Sequence, residues 1–150
     1  MTFKINIGDK SGKTYKIEVD EEKLVDKELH AKIKGEEISP ELKGYEFEIA
    51  GATDNAGFMA TKEVPGIGLK KVLLSYGKGM HKRSKKEGKK RRSNPKPKGL
   101  RLRKTMRGRI ISPAIVQINL KILKQGSKQL SEIFLDQNQK AEPEKLEEKK

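Results

Sequence analysis

"AIVQINLKIL", residues 114–123, settles the class of the fold. Val116, Ile118, Leu120 and Ile122 fall on every second position, with Gln117, Asn119 and Lys121 between them. A period of two turns all the apolar side chains to one side of an extended chain, whereas a helix would scatter them around its axis. The β-branched residues in the run suit a pleated, half-buried surface. The segment reads as a strand in a sheet with one dry face and one wet face.

The same period recurs along the chain. Phe3, Ile5 and Ile7, then Tyr15, Ile17 and Val19, alternate on either side of "GDKSGK" and predict a β-hairpin. Tyr45, Phe47 and Ile49 mark a third strand, which ends in the glycine-punctuated "GATDNAGF" after the turn "SPELKG". "KKVLLSYG" is a fourth, Leu100 and Leu102 alternate with Arg101 and Arg103, and "RIIS" is read as strand as well. Two stretches take helical spacing instead. Val25, Leu29 and Ile33 recur at i, i+4 and i+8 behind Asp20, an N-capping residue followed by Glu21 and Glu22, and predict a short helix. Leu130, Ile133 and Phe134 predict a second, within residues 127–136.

The fold class expected is mostly β: a small barrel-like or curled sheet of short strands, which would hide its edges, with one or two short helices, a long basic loop and a disordered C-terminal tail. Residues 1–126 form the β domain, including a basic extension over 77–109. Residues 137–150, "QNQKAEPEKLEEKK", have almost nothing to bury and are expected to be disordered. No internal repeat with a fixed period is present.

Charge is the second strong signal. Residues 70–109 hold 18 Lys and Arg against one acid, Glu87, a net +17; the whole chain carries +14, so the remainder sums to −3. A small domain needs a net magnitude of only about 2–8 for solubility. A block this concentrated repels itself unless a polyanion neutralises it. A membrane-surface helix would interleave bulky apolar residues with the cations, and Pro95, Pro97 and the glycines oppose one. No recognition helix or zinc module for DNA is visible. Extended Arg and Lys segments that order on structured RNA fit best.

The remaining numbers narrow the class. At 33% hydrophobic and 37% charged residues, 150 residues make a small core. The absence of Cys excludes disulfides and thiolate zinc sites, and no apolar run reaches about 18 residues. The N-terminal "MTFKINIGDK" has no secretory apolar stretch, and the chain is expected to be soluble and intracellular.

Candidate catalytic motifs fail on spacing or context. "GDKSGKT" resembles a phosphate-binding loop, but three residues rather than four separate Gly8 from Gly12, and a strand follows where a helix is required. His30 and His81 lie far apart with no Cys to complete a metal site. The adjacent pairs Glu21/Glu22, Glu36/Glu37 and Glu147/Glu148 sit in charged segments without a pocket to separate their pKa values. Phe3, Tyr15, Tyr45 and Phe47 are expected in the core, while Tyr76, just before the basic block, is more open to RNA.

Three stretches in order, "KGYEFEIAGATDNAGF", "LKKVLLSYGKG" and "RLRKTMRGRIISPAIVQINLKILKQG", resemble the archaeal and eukaryotic small-subunit ribosomal protein six family over most of residues 1–126. The resemblance implies a β-barrel-like domain in the small ribosomal subunit, with basic segments on ribosomal RNA and no catalytic residues. Gly57, Phe58, Met59 and Ala60 stand where the family usually reads Gly-Phe-Pro-Met, and the Lys-rich stretch over 83–98 is longer than is typical. Eukaryotic members continue into a long basic C-terminal helix with phosphorylation sites; the mixed-charge tail here does not match it.

The residues assigned to RNA contact are Lys70, Lys71, Lys78, His81, Lys82, Arg83, Lys85, Lys86, Lys89, Lys90, Arg91, Arg92, Lys96, Lys98, Arg101, Arg103, Lys104, Arg107 and Arg109. The expected role is a structural constituent of the small subunit in the cytoplasm, with ribosomal RNA and neighbouring ribosomal proteins as partners. No cofactor, metal, membrane or small-molecule substrate is expected, and the protein is expected to be monomeric outside the ribosome. A free RNA chaperone or translation accessory factor is the rival reading.

Overall fold

The structure, a computed structural model, describes residues 2–19, 22–81, 98–134 and 137. Among the described residues seven strands run in the order β1 (Phe3–Gly8), β2 (Thr14–Val19), β3 (Lys32–Lys34), β4 (Glu46–Asp54), β5 (Leu69–Ser75), β6 (Arg101–Arg107) and β7 (Ile115–Lys124), and a one-turn α-helix, α1 (Leu130–Ile133), follows. Five of them form one sheet in the order β2-β1-β7-β4-β3, and β5 and β6 form a separate two-stranded ribbon.

β7, which holds the alternating run Val116 to Ile122, is the middle of the five. It runs parallel to β1, with Ile5 beside Ile118 and Ile7 beside Leu120, and antiparallel to β4, with Phe47 beside Ile122. Phe3, Ile5, Ile7, Phe47, Ile49, Ile118, Leu120 and Ile122 are buried together with Leu24, Leu29, Ile33, Leu42, Ile111 and Leu130. The expected alternation slips at one end. Ile115, not Val116, is buried, because the pairing shifts between Thr53 opposite Gln117 and Asp54 opposite Ile115 and leaves Val116 as the extra residue of a bulge. The wet face carries an amide row in which Asn6 Nδ2 and Gln117 Nε2 donate to Asn119 Oδ1 at 3.2 and 2.9 Å.

"GDKSGK" is a hairpin turn: the Asp9 amide donates to Lys13 O, the Gly12 amide donates to Asp9 O, and Gly12 has a φ of +86°. The four aromatics expected inside, Phe3, Tyr15, Tyr45 and Phe47, are buried. Tyr45 stacks on Phe47, and Tyr15 stacks on Phe134 at 5.6 Å, which fixes the end of α1 over the hairpin.

Three expectations are corrected. First, the sheets are not closed into a barrel. β2 and β3 each pair on one side only and remain edges. Each edge is limited locally: β3 is three residues long, and the Gln137 side chain caps β2, accepting from the Lys16 amide and donating to the Lys16 carbonyl, both at 2.7 Å.

Second, no helix spans Val25, Leu29 and Ile33. A 3-10 turn (Glu22–Leu24) precedes an irregular segment in which Asp26 and His30 take left-handed φ values of +65° and +66°, and Ile33 belongs to β3. The amides a helix would use internally are donated elsewhere: Asp26 to Ile111 O, Leu29 to Arg109 O and His30 to Ile49 O, each at 2.9 Å. Leu29 and Ile33 are buried nonetheless, so the apolar pattern recorded burial without recording helix. Asp20 and Glu21, the expected cap and first turn, lie outside the described residues.

Third, "RIIS" is not a strand. Its backbone is taken up by the same exchange with residues 26–29, including the Ile111 amide to Lys27 O, and only a bridge between Glu28 and Ile110 forms. The basic stretch over 82–97 lies outside the described residues, as does the expected tail apart from Gln137.

Candidate nucleic-acid interface

Most of the described part of the basic segment lies on the β5–β6 ribbon. In its register Leu69 faces Arg107, Lys71 faces Thr105, Leu73 faces Arg103 and Ser75 faces Arg101; the alternate pairs are Lys70 with Met106, Val72 with Lys104 and Leu74 with Leu102. Residues opposite one another in an antiparallel pair share a face. One face therefore collects Leu69, Lys71, Leu73, Arg101, Arg103 and Arg107. The other carries Val72, Leu74, Leu102 and Met106, with Met106 buried and Lys70 and Lys104 exposed. Gly79 lies against this second face: a Cβ there would stand 2.9 Å from Met106 Cε and 3.4 Å from Leu74 Cδ1.

The ribbon is joined to the sheet at its base. Residues 58–61 bridge the two: the Ala60 amide donates to Ala52 O of β4 at 2.8 Å, while the Arg107 amide donates to Met59 O and the Thr61 amide to Arg107 O. Gly108 is required by close approach, since a Cβ at that position would stand 1.9 Å from Gly66 O and 2.5 Å from Gly66 C.

An ion pair completes the joint. Arg107 Nε donates to Asp54 Oδ2 at 2.8 Å, its Nη2 stands at the same distance from that oxygen, and its Nη1 donates to Ile67 O at 3.2 Å. Asp54 Oδ1 also accepts from the Phe58 amide at 3.0 Å. The side chains are 3% and 14% exposed for Asp54 and Arg107, so the pair is buried. Burial opposes ionisation of Asp54; the Phe58 amide, the Arg107 guanidinium and the Ala56 amide together outweigh it and hold the carboxyl below its usual range.

The candidate residues thus divide by what holds them. Lys70, Lys71, Arg101, Arg103 and Lys104 are exposed on the ribbon with no side-chain partner among the described residues, and Lys98 is exposed just before it. Lys78 is exposed and donates to Ala50 O at 3.0 Å. His81 meets Tyr76 edge to face, with ring centroids 5.9 Å apart. Arg107 is committed to Asp54, and Arg109 stands 3.4 Å from Glu28 with its Nε buried and without a partner. Lys82, Arg83, Lys85, Lys86, Lys89, Lys90, Arg91, Arg92 and Lys96 lie outside the described residues.

Sequence reasoning missed Asp54. It stands in "ATDNAG", where an Asp before Asn-Ala-Gly reads as a local turn residue. Nothing nearby points to a partner 53 positions away. Among the described residues no group of three His, Asp or Glu could hold a metal ion. A cleft of about 350 Å³ lies beside the hairpin turn and is lined by Asp9, Lys13, Tyr45 and Lys128, with the Tyr45 hydroxyl donating to Lys128 O.

Fold and site define a small protein with a one-sided open sheet and a cationic two-stranded arm. The chain belongs to the ribosomal protein S6e family, whose model matches residues 3–96 and 93–135. It is similar to the small ribosomal subunit protein eS6 of Methanocaldococcus jannaschii, 38% identical over 134 residues that cover 89% of this chain and 91% of the relative. The corresponding protein of Archaeoglobus fulgidus is 36% identical, with 89% and 96% covered, and that of Halobacterium salinarum 33% identical, with 89% and 93% covered. The family is one of ribosomal structural proteins, and the chain is not an enzyme.

Proposed function

We propose that this protein is a structural constituent of the small ribosomal subunit in the cytoplasm, and that its basic segment over residues 70–109 neutralises and fixes phosphates of ribosomal RNA. The observation that carries the reading is the set of exposed cations Lys70 and Lys104, which share one face of the ribbon and have no side-chain partner among the described residues, with Lys98 exposed just before it. A folded domain that spent these charges on itself would pair them, as it pairs Arg107 with Asp54. Exposed cations along a two-stranded ribbon suit phosphate contacts, which position a protein on RNA without reading sequence. The names of the relatives support the subunit, and the charge balance supports RNA as the partner that makes the block tolerable.

Sedimentation tests the reading. The protein is expected to migrate in stoichiometric amount with small subunits after a high-salt wash. Recovery near the top of the gradient would favour a free RNA-binding factor and refute residence in the subunit.

A further inference from the structure

The face of the ribbon that carries Arg101 and Arg103 also carries the most exposed large apolar side chains among the described residues. Leu69 is 50% and Leu73 57% exposed, and Ile67, just before β5, is 45% exposed. Single exposed leucines are ordinary. Here two of them share one strand face, four residues apart and so on the order of 13 Å along the strand. They stand in a chain whose other large aliphatic residues are at least half withdrawn from solvent wherever described. Around them are Lys71, between the two leucines, and Arg103, directly opposite Leu73, neither with a side-chain partner among the described residues.

We propose that this outer face is the docking site of a neighbouring protein, through a segment whose aliphatic side chains cover Leu69 and Leu73 and whose carboxylates meet Lys71 and Arg103. The inference rests on the reading of the chain as a subunit constituent and divides the ribbon's two faces between two partners. RNA does not cover the two leucines. A base can stack on the guanidinium planes of Arg101 and Arg103, but Leu69 and Leu73 offer it neither an aromatic ring nor a hydrogen bond, and no aromatic residue stands beside them among Lys71, Ser75, Arg101, Arg103, Thr105 and Arg107. An aliphatic patch framed by cations complements an apolar segment framed by acids. Lys70 and Lys104, on the opposite face, remain for phosphate.

Photocrosslinking within the assembled subunit tests this. A benzophenone amino acid is placed at Leu69 of the full chain in cells, small subunits are isolated on a gradient, and they are irradiated. The expected product joins residue 69 to a second protein, through a peptide in which aliphatic residues adjoin Asp or Glu. Leu73→Asp is expected to lower its yield by about tenfold. The same probe at Lys70 is expected to crosslink RNA instead. With the chain present in the subunit, a crosslink from residue 69 to RNA, to a peptide without acids, or to nothing would overturn the docking site alone. Absence of the unmodified chain from the subunit would refute the function reading and the docking site with it.

Discussion

Asp54→Ala removes the carboxylate that holds the ribbon to the sheet, and the cost can be worked from its surroundings. The wild-type oxygens accept from Arg107 Nε at 2.8 Å and the Phe58 amide at 3.0 Å, and the second Arg107 contact is also 2.8 Å. Without Asp54, the guanidinium keeps only Ile67 O within a site where its side chain is 14% exposed. Removing one partner of a buried ion pair costs about 3–5 kcal/mol. Because Arg107 can reach some water, the lower end applies, about 3 kcal/mol. At roughly 4 °C per kcal/mol for a domain of this size, the thermal midpoint should fall by about 12 °C. Arg103→Gln, on the same strand but without a side-chain partner among the described residues, should change stability by no more than about 0.5 kcal/mol. Calorimetry or circular dichroism on the free protein reads both. A double-mutant cycle with Arg107→Met should return a coupling of more than about 1 kcal/mol. If Asp54→Ala melts with the wild type, the ion pair does not join ribbon to sheet.

The other predictions use separate features. Because the Asp54 carboxyl is lowered on folding, its contribution is full above the ordinary aspartate range and is lost as pH falls through the lowered folded value; Asp54→Asn should flatten that acid limb in a pH series of melting curves. Each phosphate neutralised adds roughly 0.7–0.9 to the slope of log affinity against log salt, so Lys70→Gln with Lys104→Gln should reduce the slope by about 1.5. Arg107→Gln should leave it unchanged, because that guanidinium is spent on Asp54; a fall as large as for the lysines would show that it reaches RNA. Gly108→Ala sets its Cβ 1.9 Å from Gly66 O, so the backbone must shift, and should destabilise by at least about 1–3 kcal/mol, read by denaturant titration. Gln137→Ala should speed amide exchange at Lys16 while leaving the amides of β7 protected.

Residue types and spacing alone determined four of the sheet's five strands, β1, β2, β4 and β7, the hairpin in place of a phosphate loop, the buried aromatics and the concentration of charge over residues 70–109. Each of these is a local property: a period of two needs only the chain itself, and net charge needs only a count. The family resemblance was legible for the same reason, in three stretches read in order. Tertiary structure decided what depends on distant partners. Val25, Leu29 and Ile33 carry a helical period, yet their segment's amides go to residues 49, 109 and 111, and the left-handed backbone at Asp26 and His30 follows from those bonds. Val116 gave way to Ile115 because β4 imposes a bulge on β7. Arg101, Arg103 and Arg107 are equivalent in sequence, but Arg107 lies where the end of β4 delivers a buried carboxylate, so it became a structural joint while the other two have no side-chain partner among the described residues. Local sequence fixes which residues seek burial or a counter-charge; the partner each one finds is fixed by which distant strand the fold brings beside it.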